Sequence, residues 1–145
     1  VRTIMTEERK PIRCVAVVQC HVTHERCTGV SCATSFAKRE HQFAGYGSEV
    51  EYYVPFTCGG CPGRRVSRLM SQLIRKLKKQ GVGKDEIAVH LSTCIVFDSG
   101  HYPKCPHIDY MKKILMRKGL KVVEGSYVSN KASERRQANF YGYDR

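Results

Sequence analysis

The sequence predicts an α/β domain built on an open, parallel, four-stranded sheet of order 2-1-3-4 with helices on both faces. Three observations carry that expectation. Short β-branched runs alternate with amphipathic ones, the pattern of strands joined by crossover helices. The resulting order, βαβαβαβ, gives a parallel sheet covered on both sides because crossovers are right-handed. The second strand contains Pro55, which has no amide proton for a central ladder and so belongs at a sheet edge.

The first run, CVAVVQC at residues 14–20, reads as a buried strand. A cysteine-rich loop follows, then a helix over 31–44 with Phe36, Ala37, Glu40 and Phe43 at helical spacing, ended by the Gly-Tyr-Gly at 45–47. EVEYYVPF, 49–56, is the second strand. Beyond the loop TCGGCPGRR, 57–65, lies the clearest helix, with Val66, Leu69, Met70, Leu73, Ile74 and Leu77 on one stripe and Gly81 and Gly83 closing it. A third strand is expected over 86–97. The turn-rich DSGHYPKC then leads to a helix that opens on Pro106 and stops at Gly119. LKVVEGSYV, 120–128, is the last strand. This is a shortened flavodoxin-like sheet. The expected domain spans 13–128, with an N-terminal extension over 1–12 and a basic, aromatic tail over 129–145 whose Phe140, Tyr141 and Tyr143 suit either packing back or meeting a partner.

A chain of 145 residues builds a core without crosslinks, so its eight cysteines call for a chemical explanation. The stretch VRTIMTEERKPIR lacks the apolar run of a signal peptide, and no stretch is apolar enough to span a membrane. The expectation is a reducing cytoplasm, where cysteine clusters are metal or redox sites. The formal charge of +12 is concentrated on the helix RRVSRLMSQLIRKLKKQG and in the tail. A solvated basic face is the simpler reading. An anionic partner on that face or tail is the other, and no motif favours nucleic acid.

In a parallel sheet every strand-to-helix loop emerges at the carboxyl edge, where ligands bind. Cys20, Cys27, Cys32, Cys58, Cys61, Cys94 and Cys105 all fall on or near that edge. Cys14 stands about 20 Å from Cys20 along the strand and reads as a buried hydrophobe. His90, about 13 Å upstream of Cys94 in an extended chain, reads as a core histidine. His107, after Cys105-Pro106 at a helix start, is equally a ligand or a surface residue. His21, His24, His101 and His41 are weaker candidates in loops or a helix.

The loop TCGGCPGRR admits three chemistries. Cys-x-x-Cys turns two thiolates toward one ion, with Cys20 and Cys94 completing a tetrahedral set and Cys27, Cys32, Cys105 and His107 in reserve. Such donors suit Zn2+ or an iron-sulfur cluster. A dithiol redox pair would draw a lowered pKa from the helix that starts near Arg64. Cys58 and Arg64 also stand in Cys-x5-Arg spacing, as in cysteine-dependent phosphatases and arsenate reductases, where the thiolate is nucleophile, arginine grips the oxyanion, and Asp98 or Asp109 would be the acid.

Assembled in order, CTGVSC at 27–32, FTCGGCPGRR at 56–65, IAVHLSTC at 87–94, CPH at 105–107 and KVVEG at 121–125 resemble the CGGC-domain family, small bacterial and archaeal proteins proposed to bind metal through cysteines and histidines. The resemblance spans about Cys14 to Tyr127. It implies metal binding, with zinc the expected ion, and carries over to Cys20, Cys27, Cys32, Cys58, Cys61, His90, Cys94, Cys105 and His107. This chain departs from the family after VVEG, where Ser126 and Tyr127 stand in place of an expected histidine, and in the two histidines between Cys20 and Cys27.

Overall fold

The computed structural model describes residues 11–60, 63–96 and 105–127. The expected N-terminal extension lies almost wholly outside them, and the C-terminal tail wholly so. Four strands, β1 (Cys14–Gln19), β2 (Tyr52–Thr57), β3 (Ile87–Leu91) and β4 (Lys121–Glu124), form one sheet of order β2-β1-β3-β4. All pairings are parallel, with Cys14 opposite Tyr52 and Ile87, and Ala88 opposite Lys121. Pro55 sits on an edge strand, where its missing donor costs no ladder bond.

The helices are α1 (Val30–Lys38), α2 (Arg64–Lys79), the single turn α3 (Thr93–Val96) and α4 (Ile108–Arg117). Alternation along the central strands splits the core in two. Cys14, Ala16 and Val18 of β1 join Ile87, Val89 and Leu91 of β3 beneath Val66, Met70 and Leu77 of α2 and Met111 and Leu115 of α4. Val15, Val17 and Ala88 face the other way, toward Phe43, with Phe36 of α1 and Tyr53 packed against them. Helices therefore cover both faces, as the sequence predicts. The basic residues Arg68, Arg75, Lys76, Lys78 and Lys79 of α2 lie on its exposed side.

Three elements differ from expectation. The helix expected over 31–44 stops at Lys38, because Arg39 turns left-handed (φ 55°) and donates its backbone amide to Phe36 while the Glu40 amide reaches back to Ser35. This is the double hydrogen bond that ends many helices, here with arginine in the place glycine usually takes. The Arg39 guanidinium lies 4.1 Å over the Phe36 ring and bonds the Gly47 carbonyl, which holds the unusual backbone in place. A separate 3-10 turn, His41–Phe43, then buries Phe43.

The third strand ends at Leu91 rather than Phe97: the Ser92 carbonyl accepts from the amides of Ile95 and Val96, so the chain coils into α3 at once. The last strand likewise stops at Glu124, where Gly125 turns with φ 103°.

His90 explains how this end of the sheet is braced. It is fully buried, and the Gly125 carbonyl accepts from Nδ1 at 2.8 Å, so Nε2 accepts from the Tyr46 hydroxyl at 2.7 Å. One neutral ring thereby joins β3, the turn after β4 and the loop before β2. Burial lowers its pKa, and Lys121 pushes in the same direction against the Gly125 bond. The unfolded chain therefore takes up the proton first as pH falls, and the stability this residue contributes is full above about 6.5 and lost beneath it. In urea titrations, His90→Leu is expected to remove that acid sensitivity and to cost about 1–3 kcal/mol for each polar partner left unpaired.

Candidate metal centre

The carboxyl rim is where the strand ends, α3 and the start of α4 meet. The structure brings four expected thiols to one side of it. Cys20 directly follows β1, and its amide donates to the Cys94 sulfur at 3.4 Å although the two are 74 positions apart. Cys58 directly follows β2; its amide bonds the Gln19 carbonyl, and its side chain is 8% exposed. The Cys105 amide bonds the Ile95 carbonyl, anchoring the entry to α4 against α3. Cys20, Cys94 and Cys105 all pack on the core cluster that contains Cys58.

Their electrostatics show the same proximity. Burial pushes the Cys94 thiol up to about 11; the Ser92 hydroxyl and Cys20 amide oppose this, while Cys20 and Cys32 raise it further. Burial also raises Cys105, opposed by the His107 amide and assisted by Cys58 and Cys20. Cys20 is thus a neighbour of both Cys94 and Cys105, and Cys105 of Cys58. At neutral pH the buried Cys94 is a thiol, because its thiolate would be desolvated and repelled by its neighbours.

On the other side of the rim, Cys32 in the first turn of α1 places its sulfur 3.2 Å from Ser126 Oγ. Cys27 Sγ accepts from the Gly29 amide in the turn before α1. Cys14 is fully buried, with a pKa pushed up to about 12 by desolvation, as befits a core residue. His107 is exposed at the N-cap of α4 and contributes its backbone amide to Cys105 Sγ at 3.4 Å. His21 bonds Thr57 Oγ1, His24 bonds Gln19, and His41 lies against the Tyr127 ring. The family-implied ligand position His90 is instead the buried brace described above. Asp109 is exposed, and Cys61, Asp98 and His101 lie outside the described residues.

The glycines of the CGGC loop turn it sharply, Gly59 at φ 71° and Gly60 at φ 79°. Arg65 folds back over that turn: its guanidinium donates to Thr57 Oγ1 at 3.0 Å, and a Cβ on Gly59 would stand 2.8 Å from its side chain. Arg64, one residue earlier, is exposed at the start of α2. Arg65 thus lies over the loop in Cys-x6-Arg spacing, while Arg64 holds the Cys-x5-Arg position read from the sequence.

Among the described residues no three His, Cys, Asp or Glu side chains converge closely enough to hold one ion. The described thiols are neighbours along the rim. Their chemistry, several half-buried thiols from separate segments, fits a thiophilic ion or cluster. Sequence reading missed the hydroxyls that serve these sulfurs. Ser92 Oγ lies 2.8 Å from Cys94 Sγ; fully buried Ser126 touches Cys32 and accepts from the Thr93 amide, and Thr93 Oγ1 accepts from the Ser126 amide. The Ser126 signal was present in the departure from the expected histidine, a position that proves to face Cys32.

Among the described residues no helix is long and apolar enough to cross a membrane. An uncharacterized protein of Methanocaldococcus jannaschii is 30% identical over 128 residues, 83% of this chain and 91% of that protein. A second uncharacterized protein of the same organism is 37% identical over 71 residues, 49% of this chain and 92% of that protein. No solved structure matches the chain. The family model of the CGGC domain matches residues 14–127, the span that carries the four described strands and the described rim thiols, so the chain belongs to the CGGC-domain family.

Proposed function

We propose that this protein binds Zn2+ through thiolates at the carboxyl rim, with Cys20, Cys58, Cys61 and Cys94 as inner ligands and Cys27, Cys32, Cys105 and His107 around them. The observation that carries this reading is that Cys20, Cys58, Cys94 and Cys105, drawn from four separate segments, pack about one core at the carboxyl rim, with the Cys20 amide on the Cys94 sulfur. Burial and neighbouring thiols disfavour the thiolate at Cys94 and Cys105. A bound cation supplies the positive charge that lets these thiols ionise. The residues around the sulfurs prepare for that charge state: the Cys20 and His107 amides and the Ser92 hydroxyl all reach sulfur atoms. An iron-sulfur cluster draws on the same donors. The thiols must stay reduced for either, in keeping with the expected cytoplasmic setting.

Elemental analysis of anaerobically purified protein is expected to show stoichiometric zinc without colour; absorption near 400 nm would instead assign the iron-sulfur cluster. Cys58→Ser and Cys94→Ser should abolish stoichiometric metal, whereas Cys14→Val should retain it. Ser92→Ala, which removes only a hydroxyl beside Cys94, should weaken affinity roughly 10- to 100-fold. Metal-free wild type that turns over a phosphate or arsenate analogue, and keeps that activity in Cys94→Ser, would move the function to a Cys58-dependent enzyme.

Alkylation distinguishes the thiols further. In metal-free protein, mass-mapped iodoacetamide labelling of Cys94 should be slow at pH 7 and rise about tenfold per pH unit toward its pKa of about 11. Rapid labelling at neutral pH would contradict the protonated state assigned here.

A further inference from the structure

Helices α2 and α4 cover the same face of the sheet, and two contacts fix how they meet. A Cβ on Gly63, the residue before α2, would stand 2.5 Å from Ile114 Cδ1 and 3.0 Å from Tyr110 Cε2, so the missing side chain lets the start of α2 approach the flank of α4. Eight residues further along each helix, about 12 Å at 1.5 Å per residue, Lys118 Nζ donates to Ser71 Oγ at 2.8 Å. The two helices therefore run in the same direction, and their outer sides form one continuous surface.

That surface is basic. The helix α2 carries seven lysines and arginines and no aspartate or glutamate. Arg68, Arg75 and Lys79, at intervals of seven and four, form an exposed stripe opposite the buried Val66, Met70, Leu73 and Leu77, with Lys76 and Lys78 beside it. On α4 the exposed Tyr110, Lys113 and Arg117, at intervals of three and four, form another. Among the described residues none of these exposed cations has a side-chain hydrogen bond or an ion pair. The acids nearest them, Asp109 and Glu124, both act on Lys112. A helix face that meets only water gains from acids interleaved at four-residue spacing, whereas Arg75 and Lys79 stand four apart with like charge. The helix dipole favours cations in the last turn of α2 and does nothing for Arg68, in its first half.

Tyr110 adds an aromatic surface to these charges. Its ring packs against Gly63 at one edge and is 55% exposed, and among the described residues it makes no hydrogen bond or ring contact. We propose that the α2–α4 face binds single-stranded nucleic acid, its phosphates along Arg68, Arg75, Lys79, Lys113 and Arg117 and a base stacked on Tyr110. Charge complementarity selects a polyanion, and the open ring selects one that carries planar bases, the pairing of basic track and stacking platform that single strands bind. The sequence holds no motif for such a ligand; the two helices assemble the parts from separate segments. The proposal stands on this face alone and is independent of metal at the rim.

Fluorescence anisotropy of the full chain with a labelled oligothymidylate of about 20 nucleotides tests it, with a duplex of the same length and poly-L-glutamate as comparison probes. Saturable binding of the single strand is expected, weakening as salt rises. The triple variant Arg68→Gln/Arg75→Gln/Lys79→Gln should weaken it about tenfold or more and lower the slope of log affinity against log salt by about two, at roughly 0.7 per phosphate contact. Tyr110→Leu should weaken it about fivefold or more with the slope unchanged, while Tyr110→Phe, which keeps the ring, should retain it. Arg26→Gln/Lys38→Gln removes two exposed cations outside this face and should change affinity less than about twofold. No saturable binding to well-folded wild type, equal or tighter binding of the duplex or of poly-L-glutamate, equal weakening by Arg26→Gln/Lys38→Gln, or indifference to Tyr110→Leu would each overturn the proposal.

Discussion

All four strands run in one direction, so every connection from strand to helix must leave from a single rim. A cysteine placed just past the end of one strand is therefore brought near one placed past the end of an adjacent strand, however far apart they are in the chain. Cys20 and Cys94 meet for that reason, and Cys58 and Cys105 join them across the same core. The apolar strands beneath, with Val18, Val89 and Leu91 fully buried, hold the rim in fixed register. The thiols thus inherit their proximity from the sheet and need no crosslink to keep it.

Burial at the rim also makes the Cys94 and Cys105 sulfurs costly to ionise. Removal from water and mutual repulsion act in the same direction on Cys94 and Cys105, and the hydroxyl and amide donors aimed at them offset only part of that penalty. A cation reverses the sign of the local field, which is why a cluster unsuited to free thiolates suits metal. The described part of the CGGC loop is held against this set. Two left-handed glycines bend it, and Arg65 rests across the bend on Thr57. The loop's thiol Cys58 is thereby tied to the sheet at one end and to the start of α2 at the other.

The other side of the rim is knit by neutral polar contacts. Ser126 and Thr93 exchange backbone and hydroxyl hydrogen bonds, and His90 ties the turn next to them to Tyr46. Both groups are fully satisfied, as buried polar groups must be if they are to stabilise.

Periodicity and spacing alone determined the order of the strands, the edge position of β2 through Pro55, the buried stripe of α2 and the core role of Cys14 and His90. These follow from local chemistry: a proline cannot donate, a 3.6-residue stripe must be buried, and a thiol six residues back along a strand cannot reach its end. The same spacing located the rim thiols near one edge. It did not reveal that α1 stops at Lys38, because an arginine in a left-handed turn is held there by Phe36 and Gly47, contacts that only the folded chain supplies. Nor did it reveal that Arg65 folds back on Thr57, which hydroxyls serve the sulfurs, or that Gln19 lines a recess. Those depend on side chains from distant segments arriving at one place, and sequence distance carries no record of that arrival.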